Sequence, residues 1–293
     1  MYDKRAKQDA LDLWFSMSGE MSVDDFAAEL GYPSGSTLRN WIKADPRHDP
    51  DKCQYRSKPV LPKLEAIRRV AEGATAAQAA RETGRTGADI TLVGASKMND
   101  AAACQEAIAA GVDICGENRV QELQEKLAQG AYDGCPLHFI GHLQKNKVKN
   151  IVGKVELIHS VDSVSLAQEI NRRAAALGIT QDILLEVNIG AEENKSGFAP
   201  DELANALDEI AQFSSVRVLG LMAIPPICEI SENNRVYFRR MKQLFIDIGQ
   251  KKYDNVCMLL LSMGMSADYE VAVEEGASLV RVGTGIFGAR NYK

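Results

Sequence analysis

The chain has 293 residues, 45% hydrophobic and 25% charged, and its 34 basic and 40 acidic side chains give a net charge of −6. That composition excludes a fibrous repeat and wholesale disorder, and the length suits one α/β barrel plus a small appendage. A mildly acidic chain repels nucleic acid on average. No apolar run is long enough to cross a bilayer, and the start MYDKRAKQDALDLW lacks a secretory apolar block, so a soluble cytoplasmic protein without a membrane partner is expected.

Residues 1–45 read as helical. Ala10, Leu11, Leu13 and Trp14 give a first apolar stripe, and Ser22 with Asp25 three residues on forms a capping-box start for SVDDFAAEL. That helix stops at Gly31, and GYPSGS turns into STLRNWIK, which carries Ser36, Thr37, Arg39, Asn40 and Lys43. Two helices joined by a short Gly-containing turn make a helix-turn-helix-like unit, and the segment resembles the N-terminal helix-turn-helix of insertion-sequence transposases. Asp3, Asp9, Asp12, Asp24 and Asp25 nearly cancel its basic residues, so a plain helical unit is favoured over a DNA-binding one.

Residues 46–62, polar and Pro-rich, read as a linker. The domain from 63 to 293 opens with KLEAIRRVAEGATAAQAARETG, a helix ending at Gly84 that fits either the barrel domain or the extension. From Ile90, β-rich runs alternate with amphipathic stretches: ITLVGAS, VDICG, LHFIGH, VELIHSV, ILLEVNI, VRVLGLMAI, VCMLLLS and LVRVG. About eight βα units, with no G-x-G-x-x-G after the first, point to an α/β fold of the (β/α)8 TIM-barrel type rather than an open sheet.

A barrel gathers its chemistry where the strands end. There the chain has Lys97, Gly116-Glu117-Asn118, Gly141-His142, Asn188, Met222, the run Ser262-Met263-Gly264-Met265-Ser266, and Arg281 before Gly283-Thr284-Gly285. The last two loops have the small residues and hydroxyls that bind phosphate through backbone N–H groups, namely Ser262, Ser266, Gly283 and Thr284. Lys97, at the end of an apolar strand, has either a desolvated amine ready to condense with an aldehyde or a packed stem with its ammonium in water; the phosphate-type loops favour the first. Arg281, inward on LVRVG, needs a partner, which could be an unprotonated pyridine nitrogen or a carboxylate such as Glu186.

The remaining polar residues have plainer expected roles. Lys145, Lys147, Lys149 and Lys154 are expected to form a solvated basic face. His159 should be a satisfied barrel histidine, and Asp162 and Asp268 could cap helices. Glu192, Glu193, Lys195 and Ser196 read as a polar loop over the mouth. His138 and His142 lack the carboxylates that would complete a metal site. Cys53, Cys104, Cys115, Cys135, Cys228 and Cys257 contain no C-x-x-C pair, so buried free thiols are expected instead of zinc or disulfides.

ITLVGASKMND, GENRVQEL, LHFIGHLQKNKVKNI, LIHSVDS, LLEVNIGAEENKSGF, GLMAIPP, LSMGMSADYE and LVRVGTGIFGARNY, in that order over residues 90–292, resemble the successive motifs of the pyridoxal phosphate (PLP) homeostasis protein family. The resemblance implies a single alanine racemase N-terminal domain-like barrel that carries PLP as a Schiff base on Lys97. It also implies that Asn118 and His142 line the ring's surroundings, that Met222 packs nearby, that Ser262, Gly283 and Thr284 hold the phosphate, and that Arg281 faces the pyridine nitrogen. Met263 and Ser266 fall near the phosphate by loop membership. GASKMND departs from the family's AVSKT-x-P flank, and the N-terminal extension is foreign to typical members. The function implied is a non-catalytic, monomeric carrier in PLP and amino-acid homeostasis, with apo PLP-dependent enzymes as possible partners. An amino-acid racemase-like enzyme is the first alternative, and a DNA-binding regulator acting through the extension is the second.

Overall fold

The computed structural model describes residues 90–192 and 194–288. The helix-turn-helix expectation, the linker and the helix ending at Gly84 lie outside them. Within them, β1 (Thr91–Ala95), β2 (Ile114–Glu117), β3 (Leu137–Phe139), β4 (Leu157–Val161), β5 (Gln181–Val187), β6 (Val216–Ala223), β7 (Val256–Met265) and β8 (Leu279–Val282) follow one another around a closed barrel. All neighbours are parallel, and the first strand pairs with the last, with Val93 opposite Arg281. The eight expected strands are therefore all present. The shorter ones, such as Leu137–Phe139 within LHFIGH, stop early because Gly141 and His142 turn into the loop that lines the barrel's mouth.

Helices cover the outside: α1 (Ala101–Ala109), α2 (Val120–Ala128), α3 (Val164–Leu177), α4 (Leu203–Ile210), α5 (Arg235–Gly249), α6 (Tyr269–Glu274) and the short α7 (Thr284–Phe287). In α3 the Ser163 hydroxyl accepts from the Leu166 amide at the start, Gly178 ends the helix with a left-handed φ of 67°, and Leu166, Ala167, Ile170 and Ala174 form the buried face. This cap belongs to Ser163, not to Asp162, which turns toward His142. Asp268 precedes α6 without capping it, and its carboxylate accepts from the Met265 amide and the Asn234 amide group. Lys145–Asn150 form a 3-10 turn after β3.

Strand alternation splits the strand side chains into two sets. Ile158, Ile183, Leu185, Val187, Leu221, Leu261, Met263, Val280 and Val282 join the helices in the outer core. Leu157, Leu184 and Met222 form a separate inner cluster, with Leu219, Ile224 and Leu260 against it. Each fully buried Leu of this kind contributes about 1.5–3 kcal/mol. Among the described cysteines, only Cys104 and Cys115 meet the expectation of burial; Cys135 and Cys228 are half-buried and Cys257 is exposed.

Candidate functional site

The mouth of the barrel holds a cavity of about 310 Å3 whose lining includes Lys97, Asn118, His142, Glu186, Lys195 and Met222. Four of the residues expected at the site thus meet there. Met222 supplies apolar surface continuous with the inner cluster. His142 stands at the rim with a largely exposed ring, oriented by Asp162 at 3.3 Å. Asn188, at the end of β5, donates to the Glu192 and Lys195 carbonyls and accepts from the Glu192 amide, which folds the loop that brings Lys195 and Ser196 over the cavity. Lys195 is held by Glu192 and by the Pro225 carbonyl.

Asn118 sits in close quarters. A Cβ on Gly141 would fall 2.1 Å from the Asn118 carbonyl oxygen, so only glycine lets these two loops meet. The Asn118 Oδ1 atom is buried without a hydrogen-bond partner. A buried acceptor left bare costs about 1–3 kcal/mol, so an orphan on a residue that lines a cavity suits a ligand donor.

Lys97, half-buried, follows β1, and its flanks are fixed from α2. The carbonyl of Ser96 accepts from Lys126 Nζ at 2.9 Å, and the amide of Met98 donates to Glu122 Oε2 at 2.8 Å. Lys126 in turn lies 2.6 Å from Glu117, a fully buried carboxylate that also accepts from the amides of Asn118 and Arg119 and from the Tyr132 hydroxyl. Neither Lys126 nor the role of Glu117 is evident in the motif reading, where Lys126 passes for a solvated helix lysine; the Glu122–Lys126 spacing of four is the one available signal.

Across the lumen a second network holds Arg281. Its guanidinium donates to Ser262 Oγ and, at 2.9 Å, to the Ala223 carbonyl. Ser262 Oγ meets His159 Nδ1 at 3.0 Å, and His159 Nε2 meets His138 Nδ1 at 2.9 Å. Strands β4 and β7 are not neighbours, so these side chains meet only across the barrel interior. Each of these two contacts needs a single proton between its partners, so both rings complete the relay while neutral, whichever tautomer each adopts. Burial pushes His138 down to about 4 and His159 well below its ordinary value, the latter also because of His138 and Arg281. Burial lowers Arg281 to about 10, against the pull of Glu186 and Asp268. Glu186 is shifted upward, first by burial and then by Asp162. Of the two partners weighed for Arg281, the carboxylate is not in contact with it, neutral acceptors taking that place, and His159 is the satisfied barrel histidine anticipated.

The phosphate-type loops converge beside β1. The Gly283 and Gly285 amides both point at Ser266 Oγ, at 3.1 and 3.5 Å, and a Cβ on Gly283 would lie 3.5 Å from Ala95 Cβ, two residues before Lys97. Gly283 and exposed Thr284 lead into α7. Two expectations change here. Met263 is fully buried in the outer core, because alternation turns it away from the lumen, so its side chain does not reach the cavity. Ser262 faces the lumen, but its hydroxyl serves Arg281 and His159 and does not stand free for an anion.

A family model described as alanine racemase, N-terminal domain, matches residues 77–291. The pyridoxal phosphate homeostasis protein of Aquifex aeolicus is 47% identical over 201 residues, covering 69% of this chain and 87% of that protein. Its Pseudomonas aeruginosa counterpart is 39% identical over 215 residues, 73% of this chain and 91% of that protein. PipY of Synechococcus elongatus, solved with PLP bound, superposes with a TM-score of 0.64 at 34% identity and covers 73% of this chain and all of its own, 100%. The chain therefore belongs to the alanine racemase N-terminal domain family and, within it, to the pyridoxal phosphate homeostasis proteins.

Proposed function

We propose that the barrel binds PLP in the cavity at its mouth and acts as a carrier rather than as a racemase. The observation that carries this reading is Lys97, its peptides on both sides held by side chains of α2, brought to one cavity with Asn118, whose buried Oδ1 atom has no hydrogen-bond partner. Bound PLP supplies an aldehyde for imine formation with an amine, a phenolic hydroxyl, and a phosphate dianion. The donor set here suits that group: Lys97 offers the amine, Asn118 Oδ1 accepts from a hydroxyl, and the Thr284 hydroxyl with the Gly283 and Gly285 amides, which now rest on Ser266 Oγ, would turn to an anion. If Arg281 faces the pyridine nitrogen, as the family resemblance implies, it would disfavour that nitrogen's protonation and so weaken the electron sink that the cofactor could supply. The relatives' name and the near-complete coverage of their length support the homeostasis role. Apo PLP-dependent enzymes are the partners that role implies.

The test is an absorbance spectrum of the purified protein with PLP, before and after borohydride, followed by mass analysis. A visible band that reduction fixes onto the Lys97 peptide, and that Lys97→Ala abolishes, is expected. A covalently retained chromophore in Lys97→Ala would overturn the assignment. Incubation with L- or D-alanine is expected to give no racemisation above a protein-free PLP control, and clear turnover would overturn the carrier reading.

A further inference from the structure

Resting on the PLP reading of Lys97, we infer that Lys126, Glu117 and Glu122 are positioning residues that hold the Lys97 segment and Asn118 in the geometry the cavity needs. The hydrogen bonds run through one ammonium. Lys126 Nζ contacts the Ser96 carbonyl at 2.9 Å, Glu117 Oε2 at 2.6 Å and Glu122 Oε2 at 3.4 Å, which uses all three of its N–H bonds. The peptide before Lys97 is gripped directly by Lys126, and the peptide after it by Glu122, through the Met98 amide. The same Glu117 carboxylate takes the Asn118 amide at 2.7 Å through its other oxygen. One buried ion pair thus ties the backbone of the amine-bearing residue to that of the orphaned acceptor across the gap between β1 and β2.

The local backbone supports a positioning role. Met98 has φ 59°, a left-handed conformation that costs a non-glycine residue about 1–2 kcal/mol. Half-exposed, Met98 has little packing to hold it there, whereas the charge-assisted bond from its amide to Glu122 does so. Burial pushes the Glu122 carboxyl up, but the Met98 amide and Lys126 outweigh it and keep it ionised to lower pH. A left-handed residue right after Lys97 sets the direction in which the chain leaves the strand, and so where the amine stands. Lys126 points away from the cavity to these partners and does not line it, so the three residues act through Lys97 and Asn118 rather than on a ligand.

The experiment follows Lys97 in wild type, Glu122→Ala, Glu122→Gln and the double variant Glu117→Gln/Lys126→Met. Two rates are read by peptide mass analysis: PLP fixation by borohydride on Lys97, and dimethylation of Lys97 by formaldehyde and cyanoborohydride in the PLP-free protein. Thermal midpoints are recorded alongside. Glu122 is partly exposed and Lys126 keeps Glu117, so Glu122→Ala is expected to remain folded with its midpoint lowered by about a few degrees. It should fix PLP roughly ten- to a hundredfold more slowly, the scale on which misplacement of a reacting group acts. Glu122→Gln, which keeps an acceptor for the Met98 amide, is expected to recover most of the rate, and dimethylation of Lys97 should change in Glu122→Ala while other lysines stay constant. Wild-type rates in Glu122→Ala and in the double variant, or losses that only track the folded fraction, would overturn the inference. Failure of wild type itself to fix PLP on Lys97 would sink the PLP reading instead, a result distinguishable because Lys97 dimethylation still reports on the clamp.

Discussion

Two cations are buried among the described residues of this barrel, and they are accommodated in opposite ways. Lys126, on the β1–β2 side, is enclosed with Glu117 and Glu122, so its charge is balanced within the protein. Arg281, on the β8 side, sits among a serine hydroxyl, a backbone carbonyl and two neutral histidines, with Glu186 and Asp268 acting only from a distance. Removing a partner from the paired cation strands a buried opposite charge, whereas the cation held only by neutral acceptors leaves none behind.

The largest expected effect breaks the comparison most directly. Lys126→Met strands the Glu117 carboxylate in a dry site and should cost about 3–5 kcal/mol in urea denaturation of the PLP-free protein. Arg281→Met removes a charge lacking a close counter-ion and should cost less than about 2 kcal/mol, chiefly from the Ala223 carbonyl left bare. Equal losses would erase the distinction.

Next comes acid. An unfolded histidine takes a proton near pH 6.5, whereas folded His138 refuses it until about 4, so stability present above pH 6.5 drains away as pH falls toward 4 and is level below that. The gap corresponds to about 3 kcal/mol for His138, and His159 adds to it in the same direction. Denaturant midpoints between pH 7 and 4 should follow this slope, and His138→Gln should flatten it; an unchanged slope would mean the relay does not hold neutral rings.

Two smaller tests sharpen the lysine side. Gly141→Ala drives a methyl into the Asn118 carbonyl and should cost about 1–3 kcal/mol while weakening PLP retention. Met98→Gly removes the left-handed strain and should stabilise the PLP-free protein by up to about 1 kcal/mol, read as a rise in thermal midpoint.

The fold was legible because parallel strands buried on both faces leave continuous apolar runs: ILLEVNI and LVRVG read as strands without help from tertiary context. Strand ends were legible too, which is why Lys97, Asn118, His142 and Met222 could be grouped before any geometry was known. What a linear pattern hides is which way a side chain turns once strands close. Met263 and Ser262 are neighbours in one loop motif, yet one packs outward among helices and the other inward against Arg281. Lys126 was hidden for a related reason. A lysine in QELQEKLAQG matches any solvated helix face, and only the packing of α2 on the end of β1 reveals it as buried.

The pairing of β1 with β8 has a consequence for synthesis. The amine arrives with the first strand of the cylinder, and the guanidinium and the glycine turn arrive with the last, next to it in space but 184 positions later in the chain, as the numbering from Lys97 to Arg281 gives. A ribosome-bound or truncated polypeptide that stops short of Leu279 has the reactive nitrogen and no seam to close around it. Closure of the cylinder is thereby coupled to synthesis of its last strand, so a shut barrel has been made at least as far as Val282.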